Sequence, residues 1–250
     1  SYDPATQQPA LRCSICTGEQ VAGFVHPDGH FEDVQLIRTP QELAAFRTRY
    51  GIDVSSFQGE IDWDAVADDN IDFAMVRVGF RGTGTGSLNT DKYYEQNIRG
   101  AMRAGLETGV YFFAQAVTVE EAIEEADYVI SLLDGLDING PVAYDWEMHD
   151  STYRVYGTSP EMATACAVAF WERIKDAGYT PMVYGGTYVT YMKYDQGALA
   201  DYLSWYPEYK SEKSEKLCPT LVYHMDYWQF SSSRAVAGIN GRVDMNIQFI

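Results

Sequence analysis

Pro141-Val-Ala-Tyr-Asp145-Trp-Glu147 reads as a buried strand that delivers two carboxylates at its C-terminal end. Its first four residues are apolar or aromatic, as expected for a strand of a parallel sheet covered on both faces. Residues i and i+2 of a strand point to one side, with alpha carbons ~6.5–7 Å apart. Asp145 and Glu147 are therefore expected to face one cleft together.

Strands and helices alternate on both sides of this segment. Upstream, strands are predicted over 51–55, 73–80 and 109–116. Helical segments are predicted over 61–69, 91–104 and 119–133. The last of these places Ala122, Ala126, Val129 and Leu133 on one face. A glycine-rich loop, Gly82-Thr-Gly-Thr-Gly86, is expected to lead into the 91–104 helix. It lacks a Walker lysine and does not open a helix directly, which argues against a phosphate cradle. Downstream come a helix over 160–177 closed by Gly178, a strand over 181–184 and a short helix near Tyr188. Strands over 202–206, 221–230 and 243–249 follow. Repeated strand–helix units imply a mostly parallel sheet, and 250 residues suit an α/β barrel. The last third is poorer in helix, so the outer ring is expected to be incomplete.

Residues 1–20 read as irregular and polar. A hairpin is predicted from strands 21–26 and 31–37 around the Pro27-Asp28-Gly29 turn. Thr39-Pro40-Gln41-Glu42 carries the signals of a capped helix running to about Tyr50. Residues 1–50 are thus expected to form an N-terminal extension, and 51–250 the catalytic barrel.

Asp and Glu total 36 against 18 Lys and Arg, a formal net charge of −18. Nucleic acid and anionic membranes need a basic face and are argued against as partners. No run of ~18 apolar residues suggests a membrane span, and no signal peptide is visible. Nineteen Tyr, 11 Phe and 5 Trp suit stacking on sugar rings, and equally a large β-rich core. Cys13 and Cys16 form a lone C-x-x-C without the further ligands a zinc site needs; a local disulfide or inert thiols are expected. Cys166 falls at an apolar helical position and is expected in the core. His26, His30, His149 and His224 show no ligand spacing, so no metal and no cofactor is expected. His149 follows the two acids; an ordinary exposed loop histidine is expected there, with a place at the border of the cleft as the alternative reading.

Two further acids strengthen the pattern. Asp53, in Gly51-Ile-Asp53-Val-Ser-Ser-Phe-Gln58-Gly59-Glu-Ile-Asp-Trp63, ends the first barrel strand. Asp244, in Gly238-Ile-Asn-Gly-Arg-Val-Asp244-Met-Asn246, lies on the last, preceded by Trp228-Gln229-Phe230. Barrel closure makes first and last strands neighbours, so Asp53, Asp145, Glu147 and Asp244 are expected to converge. Close carboxylates push each other's pKa values apart, which keeps one protonated near neutral pH. Glycoside hydrolysis needs one protonated carboxyl and one negative group.

In this order and spacing, the segments resemble the signatures of family 25 glycoside hydrolases, the muramidase lysozymes. Asp91, Asn97, Ala104-Gly105-Leu106 and Gly109-Val-Tyr111-Phe-Phe113 also match the family's middle section, and the resemblance covers about residues 50–250. It implies a (β/α)5(β)3 barrel acting on peptidoglycan glycan strands, secreted or wall-associated, with no protein partner required. It implies Glu147 as general acid and base, Asp145 as second carboxylate, and Asp53 and Asp244 as supporting acids. Tyr111, Trp146, Tyr184 and Gln229 are implied as site neighbours. Around Trp205 the spacing departs from the family's pattern, and no aromatic is carried over there.

Two mechanisms fit these residues. The substrate's 2-acetamido group attacks the anomeric carbon while Asp145 orients it, or an acid activates water directly and configuration inverts. A chitinase-like D-x-D-x-E would need an acid at Ala143. A non-catalytic wall-binding protein on the same fold would keep the aromatics without needing the acids.

Overall fold

The computed structural model describes residues 8–13, 19–37, 48–209 and 225–249. Its centre is a closed eight-stranded barrel within a mixed α/β fold. The barrel strands are β4 (Thr48–Val54), β5 (Phe73–Arg81), β7 (Glu107–Ala114), β8 (Val142–Trp146), β9 (Pro181–Tyr184), β10 (Leu203–Pro207), β11 (Tyr227–Arg234) and β12 (Val243–Phe249). From β4 through β11 the neighbours pair in parallel. β12 closes the ring, antiparallel to both β11 and β4.

Helices pack outside the early strands. They are α1 (Trp63–Asp68), α2 (Tyr94–Arg103), α3 (Val119–Leu132), α4 (Pro160–Asp176), α5 (Thr187–Met192) and α6 (Gln196–Leu199). Local chemistry starts them: Thr118 caps α3 through the Glu121 amide, and Ser159 caps α4, with Pro160 in its first turn. Gly178, at φ 91°, follows the end of α4 in the left-handed conformation that favours glycine. Ala122, Ala126, Val129 and Leu133 are all buried, as the pattern of α3 predicted. Cys166 is buried in α4, and burial pushes its thiol up to about 12. No helix among the described residues is long and apolar enough to cross a membrane.

Alternation along each strand divides the core. On β8, Val142, Tyr144 and Trp146 join the layer between barrel and helices, while Ala143 turns inward with Phe73, Met75, Met182, Tyr184, Trp205 and Tyr227.

Several expectations change. The glycine loop does not open a helix, as expected, but between it and the helix stands a strand that was not expected: the loop turns a hairpin, with the Gly82 amide on the Ser87 carbonyl, into β6 (Leu88–Thr90), antiparallel to β5. Three partly exposed residues carry too little pattern to announce a strand. Residues 1–20 are not wholly irregular, because β1 (Gln8–Cys13) pairs with β2 (Gln20–Val25), which pairs with β3 (Phe31–Ile37). The helix predicted from Thr39 lies almost entirely outside the described residues. Its expected last turn, Thr48–Tyr50, is instead β4, drawn into the ladder opposite Ile247–Phe249. The Cys13–Cys16 contact, and most of the expected 221–230 strand's beginning, also lie outside the described residues.

Ala22 and Ile37 of the three-stranded sheet bury against Trp228 and Ile247. The small sheet thereby covers the outer face of β11 and β12.

Candidate active site

Asp53 and Asp244 are direct partners across the β4–β12 ladder, and Gln229 and Asn246 are partners across β11–β12. Closure of the barrel brings these four together from opposite ends of the chain. Gln229 Nε2 and Asn246 Nδ2 each donate to Asp53 Oδ2 at 2.8 Å. The Tyr184 and Tyr209 hydroxyls donate to Gln229 Oε1 at 3.0 and 2.9 Å, and the Trp205 indole donates to Asn246 Oδ1 at 2.8 Å. Every amide in this network is oriented by an aromatic donor.

Burial pushes the Asp53 carboxyl up to about 7, and the Asp244 charge adds to it; the Asn246 and Gln229 amides pull the other way. Burial also raises Asp244, while the hydrogen bond from Asp53 lowers it. Burial raises both carboxyls, so the pair retains a proton that two isolated carboxylates would give up.

Asp145 stands well above the ordinary carboxylate range, first through burial and then through the charges of Glu147 and Asp53; Arg77 opposes the shift. Its Oδ1 is buried without a hydrogen-bond partner among the described residues. Glu147 is also raised by burial and by Asp244, and lowered by His149, whose Nε2 lies 3.6 Å from Glu147 Oε1. Two raised carboxyls two residues apart retain a proton where an isolated carboxylate would be ionised. Strand β8 ends at Trp146, so Glu147 stands just beyond it rather than within it as predicted.

Tyr111 packs edge-on against Trp205, with ring centroids 5.9 Å apart, and Tyr184 against the same indole at 4.8 Å. Both tyrosines feel the charges of Asp53 and Asp145. Asp53, Asp145, Glu147, Asp244, Tyr111, Tyr184 and Gln229 are therefore brought together. Trp146 is not. It alternates with Asp145 to the outside of the barrel, is fully buried, donates to the Ala116 carbonyl at 3.0 Å and packs on Tyr194. His149 is exposed, as expected of a loop residue, and does border the acids.

Sequence reasoning passed over Asn246, Trp205, Tyr209 and Arg77. Asn246 shares a strand face with Asp244 by period-two spacing, a signal that could have found it. Arg77 interrupts an apolar strand; its guanidinium lies 2.8 Å from Asp91 Oδ2, which also accepts from the Ser56 amide. Gln58 of the first motif turns out to serve the turn after β4, accepting from the Ser55 amide at 2.9 Å. Among the described residues no three His, Cys, Asp or Glu side chains group as a metal ion would require. A surface depression lined by Arg103, Leu136 and Asp137 lies by the N-terminal ends of the strands, away from the acids.

The autolytic lysozyme of Clostridium acetobutylicum is 26% identical to this chain over 197 residues, covering 78% of the chain and 54% of that protein. Lysozyme M1 of Streptomyces globisporus is 27% identical over 201 residues, covering 78% and 66%. The chain thus spans about half to two thirds of the length of these relatives. The modular autolysin LytC of Streptococcus pneumoniae, solved in complex with a synthetic peptidoglycan ligand, is alike in fold. It superposes with a TM-score of 0.68 at 22% identity, covering 94% of this chain and 57% of that one. The family description "Glycosyl hydrolases family 25" matches residues 52–239. That match runs from the first barrel strand to the loop before the last and takes in Asp53, Asp145, Glu147 and Gln229; the chain belongs to glycosyl hydrolases family 25.

Proposed function

We propose that this chain is a peptidoglycan hydrolase, a 1,4-β-N-acetylmuramidase that cuts between N-acetylmuramic acid and N-acetylglucosamine. In this reading residues 51–250 are the catalytic barrel, of (β/α)5(β)3 form, and residues 1–50 an extension to it. The substrate being cell wall, the protein works secreted or wall-associated.

The observation that carries the reading is the meeting of Asp53, Asp145, Glu147 and Asp244, with raised carboxyls at both Asp145 and Glu147. Glu147 gives its proton to the leaving glycosidic oxygen. The unpartnered Asp145 Oδ1 favours substrate assistance, because a buried acceptor without a donor suits a substrate N–H. The acetamido N–H donates to Asp145, its carbonyl oxygen bonds to the anomeric carbon, and the glycosidic bond breaks. Glu147, now a carboxylate, takes a proton from the water that opens the cyclic intermediate, so configuration is retained. Asp53 and Asp244 hold one proton between them and set the field beside the sugar.

Muropeptide release from purified walls by wild type and Glu147→Gln tests the assignment. Loss of release by a factor of roughly 10² or more in the variant is expected. Equal release by both, or binding to walls without release by either, would overturn it, the second in favour of a glycan-binding protein. NMR of the first-formed anomer tests the route; an inverted product would eliminate the acetamido step.

A further inference from the structure

The β7–β8 ladder ends at Ala114 opposite Trp146. The next pair in register would be Gln115 and Glu147, but the backbone of Gln115 has left the ladder. Its amide donates to Glu125 Oε1 at 3.0 Å, and its carbonyl accepts from Arg154 Nη1 at 3.0 Å. The side chain takes over the ladder's role: Gln115 Nε2 donates to the Glu147 carbonyl at 2.8 Å.

The groups that hold Gln115 are themselves anchored. Glu125 is fully buried and accepts from Arg81 Nε at 2.7 Å, and Arg81 is 4% exposed. Arg81 also reaches the Gly86 and Glu121 carbonyls, and Arg154 grips both oxygens of Glu121 at 2.8 and 3.0 Å. Glu121 Oε2 in turn accepts from the Val117 amide at 2.9 Å. A buried ion pair such as Arg81–Glu125 contributes little net stability against an apolar replacement, so fixing geometry is a better account of it. These anchors converge on the backbone of Gln115 and Val117, in the segment that follows β7.

We infer that Gln115, braced by Glu125–Arg81 and Arg154–Glu121, is a positioning residue that fixes the backbone of Glu147 by replacing a ladder hydrogen bond; this rests on the reading of Glu147 as proton donor. The Glu147 carbonyl lies one step past the paired part of β8, where the ladder supplies it no backbone donor. A general acid displaced by an ångström loses most of its advantage.

The test combines kinetics on purified walls with a carbon-13 titration of the Glu147 carboxyl. Gln115→Met keeps the volume and removes the donor. The expected result is a kcat lower by roughly tenfold to a hundredfold, KM held within about twofold, and a Glu147 midpoint moved down toward the ordinary carboxylate range. Retained kcat with an unmoved midpoint, or a change confined to KM, would overturn the inference. Gln115→Glu serves where the methionine variant does not fold. Its introduced carboxyl, among Glu121, Glu125, Glu147, Arg81 and Arg154, can donate only while protonated. Its activity relative to wild type should therefore fall as pH rises; a constant ratio would count against the brace. Should wild type and Glu147→Gln prove equally inactive, the functional reading fails, and the Glu147 midpoint in Gln115→Met alone decides whether the brace exists.

Discussion

Asp53 and Asp244 face each other across the antiparallel seam that closes the barrel, and the Asp244 charge adds to burial in raising the Asp53 carboxyl. Like charges directly opposite on paired strands destabilise a sheet. A shared proton relieves the repulsion, and the donors from Gln229 and Asn246 occupy the remaining oxygen of Asp53. The seam is thus held in a protonation state that solvent would not select.

That state makes stability depend on pH. The folded pKa of Asp53, about 7, lies above its ordinary value of 3.8, so the native state binds more protons across that window. Stability from this group is full below 3.8 and lost as pH rises through about 7. Glu125, pushed by burial to about 7 from 4.5, acts with the same sign. Urea unfolding at several pH values should show declining stability over this range. Asp53→Asn should flatten the decline, and Asp244→Asn should lower the Asp53 titration midpoint. An unaltered slope in Asp53→Asn would contradict the shared proton.

His149 works against the burial of Glu147 by holding its carboxyl down. Its removal by His149→Ala should raise the Glu147 pKa further, keeping the general acid protonated to higher pH. The alkaline limb of kcat/KM is expected to move upward, with the fold unaffected because the imidazole is 63% exposed. A downward move would place the controlling group elsewhere.

Trp146 belongs to the packing between barrel and helices. Trp146→Phe leaves the Ala116 carbonyl without its donor and a gap beside Tyr194. The expected loss is about 1–3 kcal/mol of stability, read by denaturation. KM for glycan should stay at the wild-type value, whereas a stacking platform would show a raised KM.

Ile37 holds the small sheet to the barrel wall beside Trp228 and Ile247. Ile37→Asp places an unpaired charge in that contact and should lower Tm by several degrees. kcat of the folded protein should persist, since Trp228 and Ile247 alternate with Gln229 and Asn246 to the side away from the acids. Loss of kcat at full folding would tie the extension to the chemistry.

Local chemistry in the sequence determined where most elements lie. The helices α3 and α4 were legible from Thr118, from Ser159 with Pro160, and from an apolar face repeating at helical spacing. The strand 181–184 was legible from a short apolar run, and 243–249 from strict alternation of apolar and polar residues. The pairing of Asp53 with Asp244 followed from ring closure, which makes the two ends of a barrel neighbours whatever their separation in the chain. Three-dimensional contacts decided the rest. Thr48–Tyr50 carried helix signals and was taken into a ladder, because its partners stand almost two hundred residues away. Trp146 looked like a site residue beside two acids, and strand alternation turned it to the far side. Gln115, Trp205, Tyr209 and Arg77 have no local mark that separates a working side chain from a packed one. Their roles exist only through hydrogen bonds and charges from distant strands, which no short stretch of residues encodes.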